Sequence, residues 1–307
     1  MKAACVREFG PATVITIDDL PCPQPSAGQL LVRVHAAGVG PWDALVREGH
    51  SGLGQALPLI LGSELSGIVE AVGSGVAGFQ PGDEVYGATN HLFTGAYAEY
   101  ALASAGMMAH KPKNLTHIEA ASSPIGAVTA GQMLFDYAHA EVGQTILIHG
   151  AAGNVGAYAV QLARHAGLNT VATASSADLE FVKSLGAGEV VDREQRFENY
   201  TGRIDVVLDT VGGDAQQRSL RMLRPGGILV SVVASVPEEV PKKLGVRAAY
   251  FIVEVTAERL NRITRLFEEG TLVPHVGTVL PLADAREAHE MLGGAPHKRG
   301  KIVLQTE

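Results

Sequence analysis

Cysteine is scarce: Cys5 and Cys22 are the only two in 307 residues, and they form neither a C-x-x-C pair nor a disulfide framework. That excludes a disulfide-stapled fold and suits unreactive thiols in a reducing compartment. An excess of basic charge is also missing. The 24 Lys and Arg are outnumbered by 32 Asp and Glu, the net charge is −8, and no Lys/Arg block occurs. This composition argues against a nucleic-acid or anionic-membrane surface. Long hydrophobic runs are absent as well. The longest uncharged apolar stretch, GGILVSVVASV from Gly226 to Val236, is about half the length of a membrane span. Arg7 and Glu8 stand where a signal peptide would need its apolar core. The eleven histidines include no H-x-x-x-H pair and no metal-like cluster. The expectation is a soluble, cytoplasmic globular protein without nucleic-acid or membrane partners.

The length suits about two domains, each able to bury a core. One stretch organises the chain: QTILIHGAAGNVGAYAVQLARHA, residues 144–166. Ile146, Leu147 and Ile148 read as a buried strand, and Val155, Ala159, Val160, Leu162 and Ala163 then recur at helical spacing. Between them lie Gly150, Gly153 and Gly156. A glycine turn of this kind lets backbone N–H groups and the positive end of a helix face a pyrophosphate. The strict G-x-G-x-x-G pattern is not met, because Ala151 stands at its first glycine. The context supports a dinucleotide site nonetheless. TVATAS, the helical ADLEFVKSLGA, EVVD, DVVLDTVGG and GILVSVV alternate strand and helix as a parallel α/β sheet does.

The first part reads differently. QLLVRVHAAGV, SGIVEAVGSGV and DEVYGA alternate apolar and polar positions, GAYAEYALA adds a further short strand, and turns such as Gln80-Pro81-Gly82-Asp83 separate them. Short, turn-rich strands suggest a compact β barrel or sandwich. From Thr116 the chain reads as helical, with Thr116 and Glu119 at capping-box spacing. TAERLNRITRLFEEG is an amphipathic helix ending at Gly270, and the tail reads strand, helix, strand. The expected division is 1–118, 119–255 and 256–307, the last returning to the first.

Several stretches together resemble the medium-chain dehydrogenase/reductase superfamily, in its zinc-free, zeta-crystallin-like quinone oxidoreductase branch. They are AAGV with PWD, PLILGSELSGIVEAVG, GDEVYG, GAYAEYALA, GAAGNVG, LGA, LDTVGGD, LRPGG and GKIVL, in the family's order over nearly the whole chain. The resemblance implies an α/β protein with a GroES-like β-barrel catalytic domain and a Rossmann-fold, doubly wound parallel-sheet domain. It also implies an active-site cleft and a homodimer. The places of the superfamily's catalytic zinc ligands look like Gly40, Ser63 with Glu64, and Ile125, and only Glu64 could ligate. A zinc site needs three protein ligands, so no metal is expected. Without a Lewis acid, alcohol oxidation is disfavoured. Reduction of a quinone or a related electron-poor acceptor is the expected activity. Reduction of a 2-alkenal or enone C=C bond, and low-turnover NADPH binding, are the alternatives.

For the cofactor, the resemblance and the glycine turn together mark Gly150, Ala152, Gly153, Asn154, Val155 and Gly156. An NAD-preferring site usually carries an acid about 20 residues after the turn, but here the second strand ends Thr173-Ala174-Ser175-Ser176. A carboxylate about 4 Å from a 2′-phosphate charge would cost on the order of 4 kcal/mol at an effective dielectric of 20. Its absence there, with Ser175 and Ser176 as donors, favours NADPH over NADH; Arg193 is readable as the nearby cation or as a solvated arginine. Ala177 and Asp178 stand where relatives often have a basic residue. Thr129 matches a family threonine beside the nicotinamide, and Val233 and Ala234 match backbone that meets its carboxamide. Gly40, Trp42 and Asp43 are the candidates on the cleft loop. Gly40 replaces a frequent asparagine and is expected to widen the site. The lone tryptophan, Trp42, is readable either as stacking on a planar acceptor or as packing alone, and Asp43 is equally readable as a cap. His50, His91 and Tyr97 are candidate proton donors only by their nearness to cleft-forming loops.

Overall fold

Runs of β-branched residues punctuated by glycine turns form short paired strands, whereas uninterrupted apolar strands alternating with helices form parallel sheets. Both patterns are realised in this chain. The computed structural model describes residues 1–194 and 198–306. The chain divides into two compact units, one of Met1–Ile125 with the residues from Val255 onward, the other Gly126–Glu254.

In the first unit, Gln29–Val39 is the central strand. It pairs antiparallel with Glu64–Val72, Tyr100–Ser104 and Lys301–Gln305. Glu84–Ala88 and Met108–His110 extend the sheet on one side, and Val276–Pro281 lies parallel to Lys301–Gln305 on the other. A smaller sheet of Thr16–Asp19, Lys2–Val6 and Leu59–Ile60 joins through an Ala3–Ala98 bridge. The core holds Leu30, Val32, Leu65, Val85, Tyr97 and Ile302. Strand register brings two opposite charges to one place. Glu64 lies opposite Gly38 and Ile302 opposite Val39, so Glu64 and Lys301 flank the end of the central strand where it runs into Gly40.

The helical reading from Thr116 resolves into shorter pieces. Thr116 and Glu119 cap each other, with Thr116 Oγ1 accepting from Glu119 N at 3.2 Å and Glu119 Oε2 accepting from Thr116 N at 2.8 Å. The helix His117–Ala121 then stops. The hydroxyls of Ser122 and Ser123 donate back to Glu119 O and Ala120 O, and Pro124 begins a new helix, Pro124–Gly131. Side-chain bonds to nearby carbonyls compete with helix continuation, and proline suits a first helical position. A π-helical turn, Gln132–Tyr137, follows. Ala121 is buried with Ala36 and Val303, which explains why the first unit runs to Ile125 rather than ending at 118. The amphipathic helix is Ala257–Glu268; Thr256 caps it, and Leu260, Ile263 and Phe267 are buried.

In the second unit the described residues form a six-stranded sheet, ordered Glu189–Asp192, Asn169–Ala174, Thr145–Ile148, Ile204–Asp209, Leu223–Ser231, Arg247–Tyr250. Every pairing is parallel. Strand order 3-2-1-4-5-6 in sequence terms is that of a doubly wound dinucleotide fold. It reverses between Thr145–Ile148 and Ile204–Asp209, and ligands bind outside the carboxyl ends of the strands at such a point. No helix among the described residues is long and apolar enough to cross a membrane.

Candidate active site

The glycine turn sits at that reversal. Gly150 has φ +69°, and a Cβ there would meet Thr210 Oγ1 at 2.5 Å, so the turn needs glycine. A Cβ on Gly156 would stand 2.2 Å from Gly150 O, which keeps the helix packed onto the turn. The helix Asn154–His165 starts at Gly153, which offers no side-chain cap. Its first N–H groups are therefore open to an anion.

In front of the turn lies a cavity of about 640 Å³. Gly150, Ala152 and Gly153 line one part, Ser175, Asp178 and Arg193 another, and His149 and Arg218 a third. These residues fit a dinucleotide: an uncapped helix end for the pyrophosphate, with a hydroxyl and cations toward the ribose side. Asn154, Val155, Gly156, Ser176, Thr129 and Val233 are not among the lining residues. Gly156 acts through packing, and Thr129 is buried in Pro124–Gly131. Ser175 donates its hydroxyl to Asp178 Oδ2 at 2.5 Å, so a carboxylate does stand at this rim although the strand end lacks one. Arg193 is exposed and paired with Glu194 at 3.3 Å.

Three groups at this site were not singled out by sequence. Asp209, fully buried, accepts from Val211 N and Gly212 N and from Gln216 Nε2 and Ser231 Oγ, at 2.7–3.0 Å. It thereby ties the loop after Ile204–Asp209 to the one after Leu223–Ser231. The N–H groups of Val233 and Ala234 donate to Ser231 Oγ, and Ala234 O accepts from Gln216. His149 bridges Thr173 Oγ1 at 3.0 Å and Ser219 Oγ at 2.6 Å. Burial lowers it to about 4, so it is neutral at pH 7. Arg218 reaches the cavity from the helix Gly213–Ser219, after the turn at Gly212. The only sequence signal for it was its place on the helix following LDTVGGD.

The first unit carries a separate buried polar cluster at the end of its central strand. Gly40 N-caps the helix Pro41–Arg47, and its N–H donates to Asp43 Oδ2 at 2.8 Å. Asp43 is thus a cap, and it also accepts from Ser63 Oγ at 2.5 Å. Burial pushes its carboxyl up to about 6, against the hydrogen bond from Ser63, the Lys301 ammonium and the Gly40 N–H. Lys301 Nζ pairs with Glu64 Oε1 at 2.5 Å, with side chains 7% and 2% exposed. The other oxygen of Glu64 accepts from Ile125 N at 2.8 Å. A Cβ on Gly40 would lie 3.1 Å from Lys301 Nζ. The expected widening at Gly40 is therefore corrected: the lysine head already occupies that room. Register explains why sequence could not show it, since Lys301 is distant in the chain and arrives only through pairing.

Trp42 is half-buried and meets Phe93 edge-to-face, centroids 5.8 Å apart, while its buried Nε1 has no hydrogen-bond partner among the described residues. Phe93 has φ +55°, an unusual conformation for a bulky residue. Tyr97 is fully buried; burial and the Asp43 carboxylate hold its phenol well above its usual range. His50 and His91 are exposed. Neither is organised as a proton donor.

Comparison with known proteins accords with both units. Residues 26–113 match an alcohol dehydrogenase GroES-like domain, and residues 185–304 match a family described as zinc-binding dehydrogenase. Mouse quinone oxidoreductase is 32% identical over 326 residues, covering 99% of this chain and 97% of that protein. The structure of the quinone oxidoreductase from Coxiella burnetii is 34% identical, with TM-score 0.91, covering 100% of this chain and 99% of that one. The mycobacterial Rv1454c structure complexed with NADPH is 30% identical over 100% of both chains, with TM-score 0.89. The word zinc in the family description finds no counterpart in the residues: no group of three or more His, Cys, Asp and Glu side chains among the described residues could hold a metal. Glu64, the one carboxylate at an expected ligand place, has its oxygens engaged by Lys301 and Ile125 N. These residues do not fit a catalytic zinc. Full-length likeness, a GroES-like unit and a Rossmann unit together make this chain a member of the medium-chain dehydrogenase/reductase superfamily, an oxidoreductase of its quinone oxidoreductase group.

Proposed function

We propose that the chain is a zinc-independent oxidoreductase that passes hydride from NADPH to a quinone or a related electron-poor acceptor. The observation that carries the reading is the cavity at the sheet's carboxyl edge, with an uncapped helix N-terminus in one wall and Ser175, Arg193 and Arg218 in others. The NADPH in the Rv1454c complex supports the coenzyme. When bound, NADPH supplies the hydride. The chain's residues bind the phosphates, hold the loops that Asp209 ties together, and keep the nicotinamide end oriented, which lowers the barrier by positioning. A quinone suits this equipment. Its reduced anion takes a proton from water, so neither a Lewis acid nor an organised histidine is required.

The test is oxidation of NADPH with 1,4-benzoquinone beside a 2-alkenal of similar size. Rapid consumption with the quinone and slow consumption with the alkenal is expected, and the reverse preference would assign the chain to C=C reduction. NADPH binding without consumption of either would leave a binding protein. We also read the chain as a cytoplasmic homodimer. Among the described residues the edge strand Arg247–Tyr250 is unpaired on its outer side, and Tyr250, Ile252 and Leu244 are exposed near it. Such an edge is a template for a second copy. Both cysteines are free, which suits a reducing compartment.

A further inference from the structure

The residue just before the glycine turn is held from both sides. His149 follows Thr145–Ile148, the strand that stands between Asn169–Ala174 and Ile204–Asp209 in the sheet. Its backbone N–H donates to Leu208 O at 2.9 Å, and its carbonyl accepts from Thr210 Oγ1 at 2.8 Å. Its ring meets Thr173 Oγ1 on one neighbouring strand and Ser219 Oγ on the helix that follows the other, and all three side chains are buried. Ser219 sets the direction of these bonds. Its one hydroxyl proton goes to Ala215 O at 2.5 Å, so Ser219 Oγ accepts from His149 Nε2–H. Burial keeps the ring neutral at pH 7, which leaves Nδ1 without a proton, and Thr173 Oγ1 donates to it. Thr173, His149, Ser219 and Ala215 thus form one chain of donors running in a single direction, from Asn169–Ala174 into the helix Gly213–Ser219.

The two ends of that chain carry two walls of the nucleotide cavity. Ser175 and Asp178 come directly after Asn169–Ala174, while Ala215 and Arg218 lie three residues apart on one face of Gly213–Ser219, with Val211 in the preceding loop. Apolar Val211 and Ala215 next to a planar guanidinium suit the flat base of an adenine nucleotide, since a guanidinium stacks on π faces. We infer that His149 is a positioning residue for the adenine half of the coenzyme: through its Nε2–H it fixes the helix that bears Arg218, and so sets the gap between Arg218 and the Ser175 rim. A hydroxyl–imidazole–hydroxyl chain fits one separation of the two walls, because each bond weakens when stretched or tilted. Both ring nitrogens are engaged in that chain, so His149 acts on the coenzyme through Arg218.

The inference rests on the dinucleotide reading of the cavity, and its test reads affinity and tautomer rather than turnover. Dissociation constants for NADPH and NADH are measured by coenzyme fluorescence titration with wild type, Arg218→Ala, His149→Leu, Ser219→Ala and Arg218→Ala/His149→Leu. Losing one cation–π contact weakens binding about fivefold. Arg218→Ala is expected to weaken both coenzymes alike, because the base is common to them. His149→Leu and Ser219→Ala should do the same, and the double variant should lose about fivefold, not the roughly 25-fold of independent sites. Long-range proton–nitrogen NMR of wild type labelled at histidine should place the His149 proton on Nε2, its signals identified by their loss in His149→Leu. If His149→Leu does not fold, Ser219→Ala keeps the ring and removes only its acceptor, and Arg218→Ala/Ser219→Ala replaces the double variant. The inference is overturned by a proton on Nδ1, by losses that multiply in the double variant, or by variants that bind as wild type does. Wild type that binds neither coenzyme overturns the dinucleotide reading and the role of His149 with it; wild type that binds, with any of those three results, overturns the role alone.

Discussion

Asp178 and Arg193 line the same cavity with opposite charges, and the proposed NADPH preference is tested at these two residues. A charge-assisted hydrogen bond contributes about 1.5–3 kcal/mol, so Arg193→Ala is expected to raise KM for NADPH roughly tenfold or more. KM for NADH should change little. Asp178→Ser should act in the other direction, lowering KM for NADPH by removing a like charge. Steady-state kinetics with both coenzymes checks the pair; equal effects on NADPH and NADH would place neither residue at the 2′-phosphate. In the first unit, removing one partner of the Lys301–Glu64 pair leaves an uncompensated buried charge. Lys301→Met should therefore lose about 3–5 kcal/mol of unfolding free energy, and Lys301→Met/Glu64→Leu should regain much of it. Urea unfolding of the three proteins decides. Residues of this kind were the least legible in the sequence. Ser175 and Arg193 are recognisable by their place after parallel strands. Lys301 looks like an ordinary strand-end lysine until register sets it beside Gly40.

At the scale of elements, the strand, turn and helix of residues 145–165 were readable because every layer of signal agreed: apolar run, glycines, helical spacing. Gly156→Ala tests what the glycine does. Its Cβ would stand 2.2 Å from Gly150 O, so the helix must shift from the turn. An overpacked contact costs about 1–3 kcal/mol, and the N–H groups facing the cavity would move with the helix. Lower stability together with a weaker NADPH affinity is expected; an unchanged affinity, measured by fluorescence titration of Trp42, would detach this helix end from the coenzyme. The helical stretch after Thr116 was only partly legible. Its cap was visible as a spacing, but its breaks come from serine hydroxyls turning back to carbonyls, a competition that helical periodicity does not report. The loop after Ile204–Asp209 was recognisable by its motif, while the role of Asp209 as its buried anchor required four hydrogen-bond partners to be seen together.

For the molecule as a whole, acid stability follows from its buried histidines. Burial lowers His149 to about 4 and His289 to about 3, from an ordinary 6.5, the latter also opposed by the Arg47 guanidinium. The unfolded chain binds these protons as pH falls through 6.5 while the native chain does not. Their contribution is complete above 6.5 and is lost toward 4, at about 1.4 kcal/mol per pH unit for each histidine. Asp43 works the other way. Its native value of about 6 lies above the ordinary 3.8, so the fold gains from it as pH falls between those values. The histidines prevail. Unfolding free energy by urea should drop by about 2–3 kcal/mol from pH 6.5 to 5, and Asp43→Asn should steepen the fall; a flat profile would contradict this. Light scattering should return twice the chain mass, and a charge placed at Tyr250 should return a monomer.

The most direct test of the central claim is turnover by protein stripped of metal. Wild-type enzyme, treated with chelator and analysed for zinc, is given NADPH and 1,4-benzoquinone. The account predicts NADPH consumption at the untreated rate with zinc well below one per chain, and no gain when zinc is returned. Activity that disappears with the metal and comes back with added zinc would contradict it.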